Sequence, residues 1–196
     1  MLRQSTISFA ASLLLAASAI VATAGAHAAV PFTTGTPNGS GSTYAVDATD
    51  WLAVRFDVAS TDTVTGVAAY LTGGNVGDSF ALSLYADAPG KPGSLLDTAL
   101  VSFAGDGWNG ANGLSWNLAA GSYWLAIEGT GGSFLAPSGG LTMPSAATAF
   151  ADGGAGGYRR SDGLQFGVSA VPEPATQALL LVGFAGLFFA RRRHWA

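Results

Sequence analysis

The chain contains no cysteine. Disulfides and thiolate metal sites are therefore excluded in any compartment. Its two histidines, His27 and His194, lie near the two ends. The stretch between them has neither imidazole nor thiol. That removes Ser-His-Asp and Cys-His nucleophilic catalysis, and with it imidazole metal ligation. Lysine occurs once, at Lys91, and four of the eight basic residues (Arg3, Arg191, Arg192 and Arg193) sit in the terminal segments. From Val30 to Val171 eleven acids face only Arg55, Lys91, Arg159 and Arg160, a net charge of −7. So acidic a stretch has no electrostatic basis for binding nucleic acid or anionic lipid. Within it no run shows a helical period of useful length.

What is present is organised in three parts. Residues 1–29 read as a secretory signal peptide, expected to be helical. Arg3 supplies the positive start, Ile7 to Ala24 is apolar with small polar interruptions, and Ala26-His27-Ala28 gives the small-x-small pattern before a cut at Ala28 or Ala29. An uncleaved anchor is the rival reading; the interruptions at Ser5, Ser8, Ser12, Ser18 and Thr23 weigh against it.

Residues 30–170 form one domain, within the size that buries a single core. Short alternating runs are separated by Gly, Asn, Asp and Pro. Leu52, Val54, Phe56 and Val58 alternate with Trp51, Ala53, Arg55 and Asp57. Phe80, Leu82, Leu84 and Ala86 alternate with Ala81, Ser83, Tyr85 and Asp87. Tyr123, Leu125 and Ile127 alternate with Ser122, Trp124, Ala126 and Glu128. A period of two means strands with two unlike faces. Thr65 to Leu71, Leu96 to Phe103 and Leu164 to Val168 complete the set. The expected fold is all-β, an antiparallel sandwich or jelly roll. Residues 131–157, poor in charge and rich in Gly, Ala and Ser, are expected to be loops. Val30 to Thr43 reads as a lead-in segment or a loosely held first strand.

Candidate chemistry in this domain is sparse. Glu128 with Asp87, Asp97 or Asp106 would be the carboxylate pair of a glycan hydrolase. Their spacing singles out no pair, and the domain is read as non-enzymatic, with no cofactor and no metal. Asp106 to Gly113 offers oxygen ligands for Ca²⁺ but lacks a terminal bidentate Glu; a turn-rich connection is the preferred reading. Trp108 and Trp51 are the candidate ligand contacts, by stacking on sugar rings. Trp116 and Trp124 are read as packing residues.

Residues 171–196 have their own order. Val171-Pro172-Glu173-Pro174 is an extended break, because its prolines exclude helix. Residues 175–190 are uncharged and mostly apolar, expected as a transmembrane helix of about 24 Å. That is short for a hydrocarbon core of about 30 Å. Arg191, Arg192 and Arg193 stop it, orient it with the arginines cytoplasmic and extend its reach by snorkelling. A plain tail anchor would obey the same physics. Pro-Glu-Pro, a short apolar run and an Arg cluster, in that order, resemble the PEP-CTERM sorting tail. That resemblance implies a Gram-negative, exopolysaccharide-producing host. An exosortase would recognise Pro172, Glu173 and Pro174 in a membrane-held intermediate and cut near them. The product would be left at the surface or outside the cell, with biofilm exopolysaccharide as an associated partner. A second likeness lies in Ser83 to Leu96, which resembles the strand–Gly/Pro loop–strand signature of choice-of-anchor surface domains and implies no activity.

Overall fold

In the computed structural model of the chain, residues 32–141, 147–154, 156–161 and 164–172 are described. The expected signal peptide, residues 1–29, and the expected transmembrane helix, residues 175–190, lie outside them. No helix among the described residues is long and apolar enough to cross a membrane.

Alternation becomes strands throughout. They are β1 (Phe32–Thr33), β2 (Thr43–Val46), β3 (Trp51–Val58), β4 (Asp62–Leu71), β5 (Ser79–Ala88) and β6 (Lys91–Ser102), then β7 (Gly107–Leu118), β8 (Gly121–Gly129), β9 (Phe134–Pro137), β10 (Ala147–Gly153), β11 (Arg159–Arg160) and β12 (Val168–Pro172). All pairings are antiparallel. One sheet runs β1-β12-β4-β7, a second runs β11-β10-β3-β8-β5-β6, and β2 pairs with β9.

The two larger sheets bury one shared cluster. Leu52, Val54 and Phe56, Phe80, Leu82 and Leu84, and Leu125 and Ile127 meet Val67, Ala69 and Leu71, Trp116 and Leu118, and Val168 and Ala170. These are the same alternate positions that the period of two assigns to one face. Aromatic pairs lock the ends, with Phe80 against Phe134 at 5.4 Å and Phe150 against Phe166 at 5.3 Å between centroids. With no disulfide available, this packing and the strand ladders hold the domain. The arrangement is consistent with a β-sandwich.

First and last strands are neighbours. Phe32 pairs with Ala170 and Thr33 with Ser169. Beside them the buried Thr34 hydroxyl donates to the Phe166 carbonyl at 2.6 Å and accepts the Val168 N–H at 2.8 Å. β12 therefore lies between β1 and β4, held on both sides.

Several local expectations need correction. Asp106 to Gly113 is not mainly a connection: from Gly107 onward it is strand, paired with β4 from Leu71. Within it, Gly110 lies close to its neighbouring strand. A β-carbon on it would sit 2.2 Å from the Val67 carbonyl oxygen. The Gly/Pro loop after β5 is only two residues long, since Ala88 already pairs with Lys91. Pro89 presets φ and Gly90 takes φ 76°, the order that a type II turn requires. Gly93, by contrast, does not take positive φ. It is needed for space, its β-carbon position lying 3.0 Å from that of Ala88. Within 131–157, β9 and β10 stand where loops were expected. Leu164 and Phe166 are buried but precede the last strand, which begins at Val168 and continues past 170 to Pro172.

Candidate functional site

The outer face of the six-stranded sheet follows from strand register. Arg55, Trp124 and Tyr85 lie in one row across β3, β8 and β5; Ala53, Ala126 and Ser83 lie in the next. These positions point away from the shared core. A second cluster forms on this face from Ala53, Trp124, Ala126, Ala151 and Tyr158, with Trp51 and Tyr85 packed on it.

Glu128 is the polar centre of the face. Its Oε1 accepts the hydroxyls of Tyr85 at 2.6 Å and Tyr158 at 2.5 Å, and its Oε2 accepts the Ser83 hydroxyl at 2.7 Å. Ser83 is fully buried and lies 3.1 Å from the Thr98 hydroxyl. Asp87 makes a second centre: its Oδ1 accepts the indole N–H of the fully buried Trp124 at 2.7 Å and Arg55 Nε at 3.0 Å. Arg55 also donates to Ser122, which donates to Asp57. Both carboxylates are thus engaged by protein donors. The Trp51 indole N–H is buried without a hydrogen-bond partner among the described residues.

Burial first, and then the hydrogen bond and charge of Glu128, push the Tyr85 hydroxyl well above the ordinary phenol range. Burial and the same negative charge do so more strongly for Tyr158. Both phenols hold their protons more tightly folded than unfolded. Their contribution is therefore complete below the ordinary phenol value, about 10, and is lost as pH rises beyond it. Urea midpoints should be level between pH 8 and about 9.5 and fall progressively above about 10. The Tyr85→Phe, Tyr158→Phe double variant should lose most of that slope, whereas an equally steep fall in the variant would place the titration elsewhere.

No carboxylate pair and no flat aromatic stacking surface forms around these residues. Glu128 pairs with Ala81, while Asp87 lies one residue beyond the pairing of Ala86 with Tyr123. They are thus six positions apart, about 20 Å along the strands. Asp97 pairs with the inward-facing Leu84, and Asp106, just before β7, accepts the Gly73 N–H. The aromatic rings of the face are mutually tilted rather than coplanar. Tyr158 lies 44° to Trp51 and 68° to Tyr85.

Trp108 is elsewhere. It pairs with Tyr70, whose neighbours Ala69 and Leu71 point into the core, so Trp108 lies on the outer face of the four-stranded sheet. Trp51 and Trp108 therefore do not share a face. Trp108 is 40 % exposed, the Tyr70 ring meets it edge-on at 5.7 Å, and its indole N–H donates to the Thr36 hydroxyl at 3.2 Å. Beside it is a cavity of ≈ 410 Å³ lined by Ala68, Gly110, Asn112, Ser102 and Val171 among others, with no charged residue in its wall. Asn109, also in the wall, is committed to structure. It accepts the Ala104 N–H and donates to the carbonyls of Gly105 and Gly107, tying the β6–β7 turn.

The outward positions of Ser83, Tyr85, Asp87, Arg55 and Glu128 were legible from the period of two. Their mutual bonding needed the register. Tyr158 carried no signal, because it precedes a two-residue strand in a Gly-rich stretch. Arg159 and Arg160 form that strand and are exposed.

At the end of the domain, Val171 pairs with Gly66 and, across a bulge, Pro172 with Val64. The Thr65 hydroxyl donates to the Val171 carbonyl at 3.2 Å. Ala26, Ala28, Ala29, Glu173, Pro174 and Arg191 to Arg193 lie outside the described residues.

Residues 170–193 match the family described as the PEP-CTERM protein-sorting motif. No curated protein and no solved structure matches the chain. The match spans Pro172, Glu173, Pro174 and the arginines, so the chain carries the sorting tail of an exosortase substrate. Such a tail marks it for export through a membrane-held intermediate to the surface of a Gram-negative bacterium.

Proposed function

We propose that the chain is a non-enzymatic surface or extracellular-matrix protein, cut near Pro172-Glu173-Pro174 and delivered into the exopolysaccharide of its host. The matched sorting motif carries this reading. It joins directly to an antiparallel domain whose last strand ends on the motif's first proline. The strand orders support a jelly roll. Taking β1, β3, β4, β5, β6, β7, β8 and β12 as the eight principal strands, the sheets run 1-8-3-6 and 2-7-4-5. Here β10 and β11 extend one edge. Likeness of Ser83 to Leu96 to choice-of-anchor domains fits the same role. Glu128 and Asp87, each tied to protein donors and far apart, support cargo over hydrolase.

Mass spectrometry of protein recovered from culture medium and cell surface tests the reading. The expected species begins near Val30 and ends near Pro174. A species still carrying His194, Trp195 and Ala196 would make the tail a plain anchor.

A second reading, a carbohydrate-binding module, is favoured by one observation: the braced, exposed Trp108 beside an uncharged cavity.

A further inference from the structure

The geometry points to the cavity on the four-stranded sheet as a binding site for a neutral glycan segment, with a sugar ring stacked on Trp108 and its hydroxyls held by Asn112 and Ser102. This rests on the second reading above and assigns it a place and a ligand class.

Register builds the site. On the outer face Trp108 opposes Tyr70, Gly110 opposes Ala68 and Asn112 opposes Gly66. Next to the indole, Gly110 and Ala68 leave the floor low, carrying only hydrogen and methyl side chains. A β-carbon on Gly66 would sit 2.8 Å from Asn112 Oδ1 and crowd that side chain. Val171 of β12 adds an apolar wall. The cavity of ≈ 410 Å³ falls in the range of small-molecule sites.

Three features select the ligand. Trp108 presents an apolar π-face that two contacts fix in place, so little rotamer freedom remains to be lost on binding. The Asn112 amide and the Ser102 hydroxyl are exposed and make no hydrogen bond to another described residue. Together they offer donors and acceptors beside the ring. The wall contains no Asp, Glu, Lys, Arg or His. A ligand with one apolar C–H face and hydroxyls at its rim meets all three; a uronic acid or a sulfated sugar would enter an acidic domain without a cation to receive it.

Affinity electrophoresis of the full chain in mild detergent, through gels containing dextran, galactomannan, hydroxyethylcellulose or alginate, is the test. At least one neutral polymer should retard the wild type. That retardation should change little between about 50 and 500 mM salt. Trp108→Ala should weaken binding at least about tenfold. Asn112→Ala should weaken it by a smaller factor, and Trp51→Phe, on the other sheet, should leave it unchanged. Should circular dichroism show Trp108→Ala unfolded, Asn112→Ala and Ser102→Ala decide, and wild-type affinity in both overturns the site. Full binding by a folded Trp108→Ala protein overturns the site and leaves the carbohydrate reading standing. Salt-sensitive retardation by alginate alone overturns the neutral class. No retardation by any polymer overturns both.

Discussion

Replacing Pro172, Glu173 and Pro174 together with alanine should leave export intact and abolish tail processing, so that full-length chain accumulates in the membrane fraction. The change leaves untouched residues 1–29, which the sequence reading assigns to export, and Arg191, Arg192 and Arg193, to which it assigns orientation. What is lost is shape and charge. Two prolines fix φ and disfavour helix at the residues before them; three alanines remove that constraint and join the apolar run at residue 175 with strong helix formers. An enzyme that reads an extended, singly charged segment would then meet a neutral one free to coil. Fractionation and immunoblotting read the result. Wild-type amounts of trimmed protein outside the cell would mean that recognition lies elsewhere in residues 170–193. The folded domain should tolerate the change, because Pro172 contributes no N–H to the ladder and alanine fits a strand end.

Glu128→Ala should cost the domain about 3 kcal/mol, a drop of roughly 10 °C in Tm. Its carboxylate is the common acceptor for Tyr85, Tyr158 and Ser83. Each hydrogen bond to a charged group is worth about 1.5–3 kcal/mol, and a buried donor left unpaired costs about 1–3 kcal/mol. Glu128 is only partly buried, so water replaces some of what is lost and the three costs do not add in full. Placing Glu128→Ala on a Ser83→Ala, Tyr85→Phe, Tyr158→Phe background should cost far less than on the wild type, because the orphaned donors are then gone. Equal costs on both backgrounds, measured by urea melts, would show that Glu128 does not act through these hydroxyls.

The sequence already contained the faces of β3, β5 and β8. Each has large apolar residues on one parity and polar or small ones on the other, and that pattern is a direct image of a sheet with one buried side. It did not contain the pairing. That Glu128 meets Tyr158, and that Asp87 collects Trp124 and Arg55, follows from which strands are neighbours, and local periodicity is silent on this. β7 was misjudged for a related reason. Gly107, Asn109, Gly110 and Asn112 are poor strand formers, and close approach to β4 requires glycine at Gly110. The same pairing separated Trp108 from Trp51, which composition alone had grouped. The sorting tail was readable because its signal is linear: order and spacing along the chain carry it, with no partner strand required.

The position of β12 has a consequence in time. Secretion threads a chain from its N-terminus, so Phe32 and Thr34 emerge long before Val168. Until β12 arrives, β1 has no neighbour, β4 lacks one flank, and the Thr34 hydroxyl has nothing to hold. Closure spans nearly the whole domain, the kind of distant contact that slows folding. The keystone strand and the sorting tag are one continuous piece, and the sheet cannot shut until the tag itself is at hand. Completion of the fold and presentation for cutting are thereby put on the same clock.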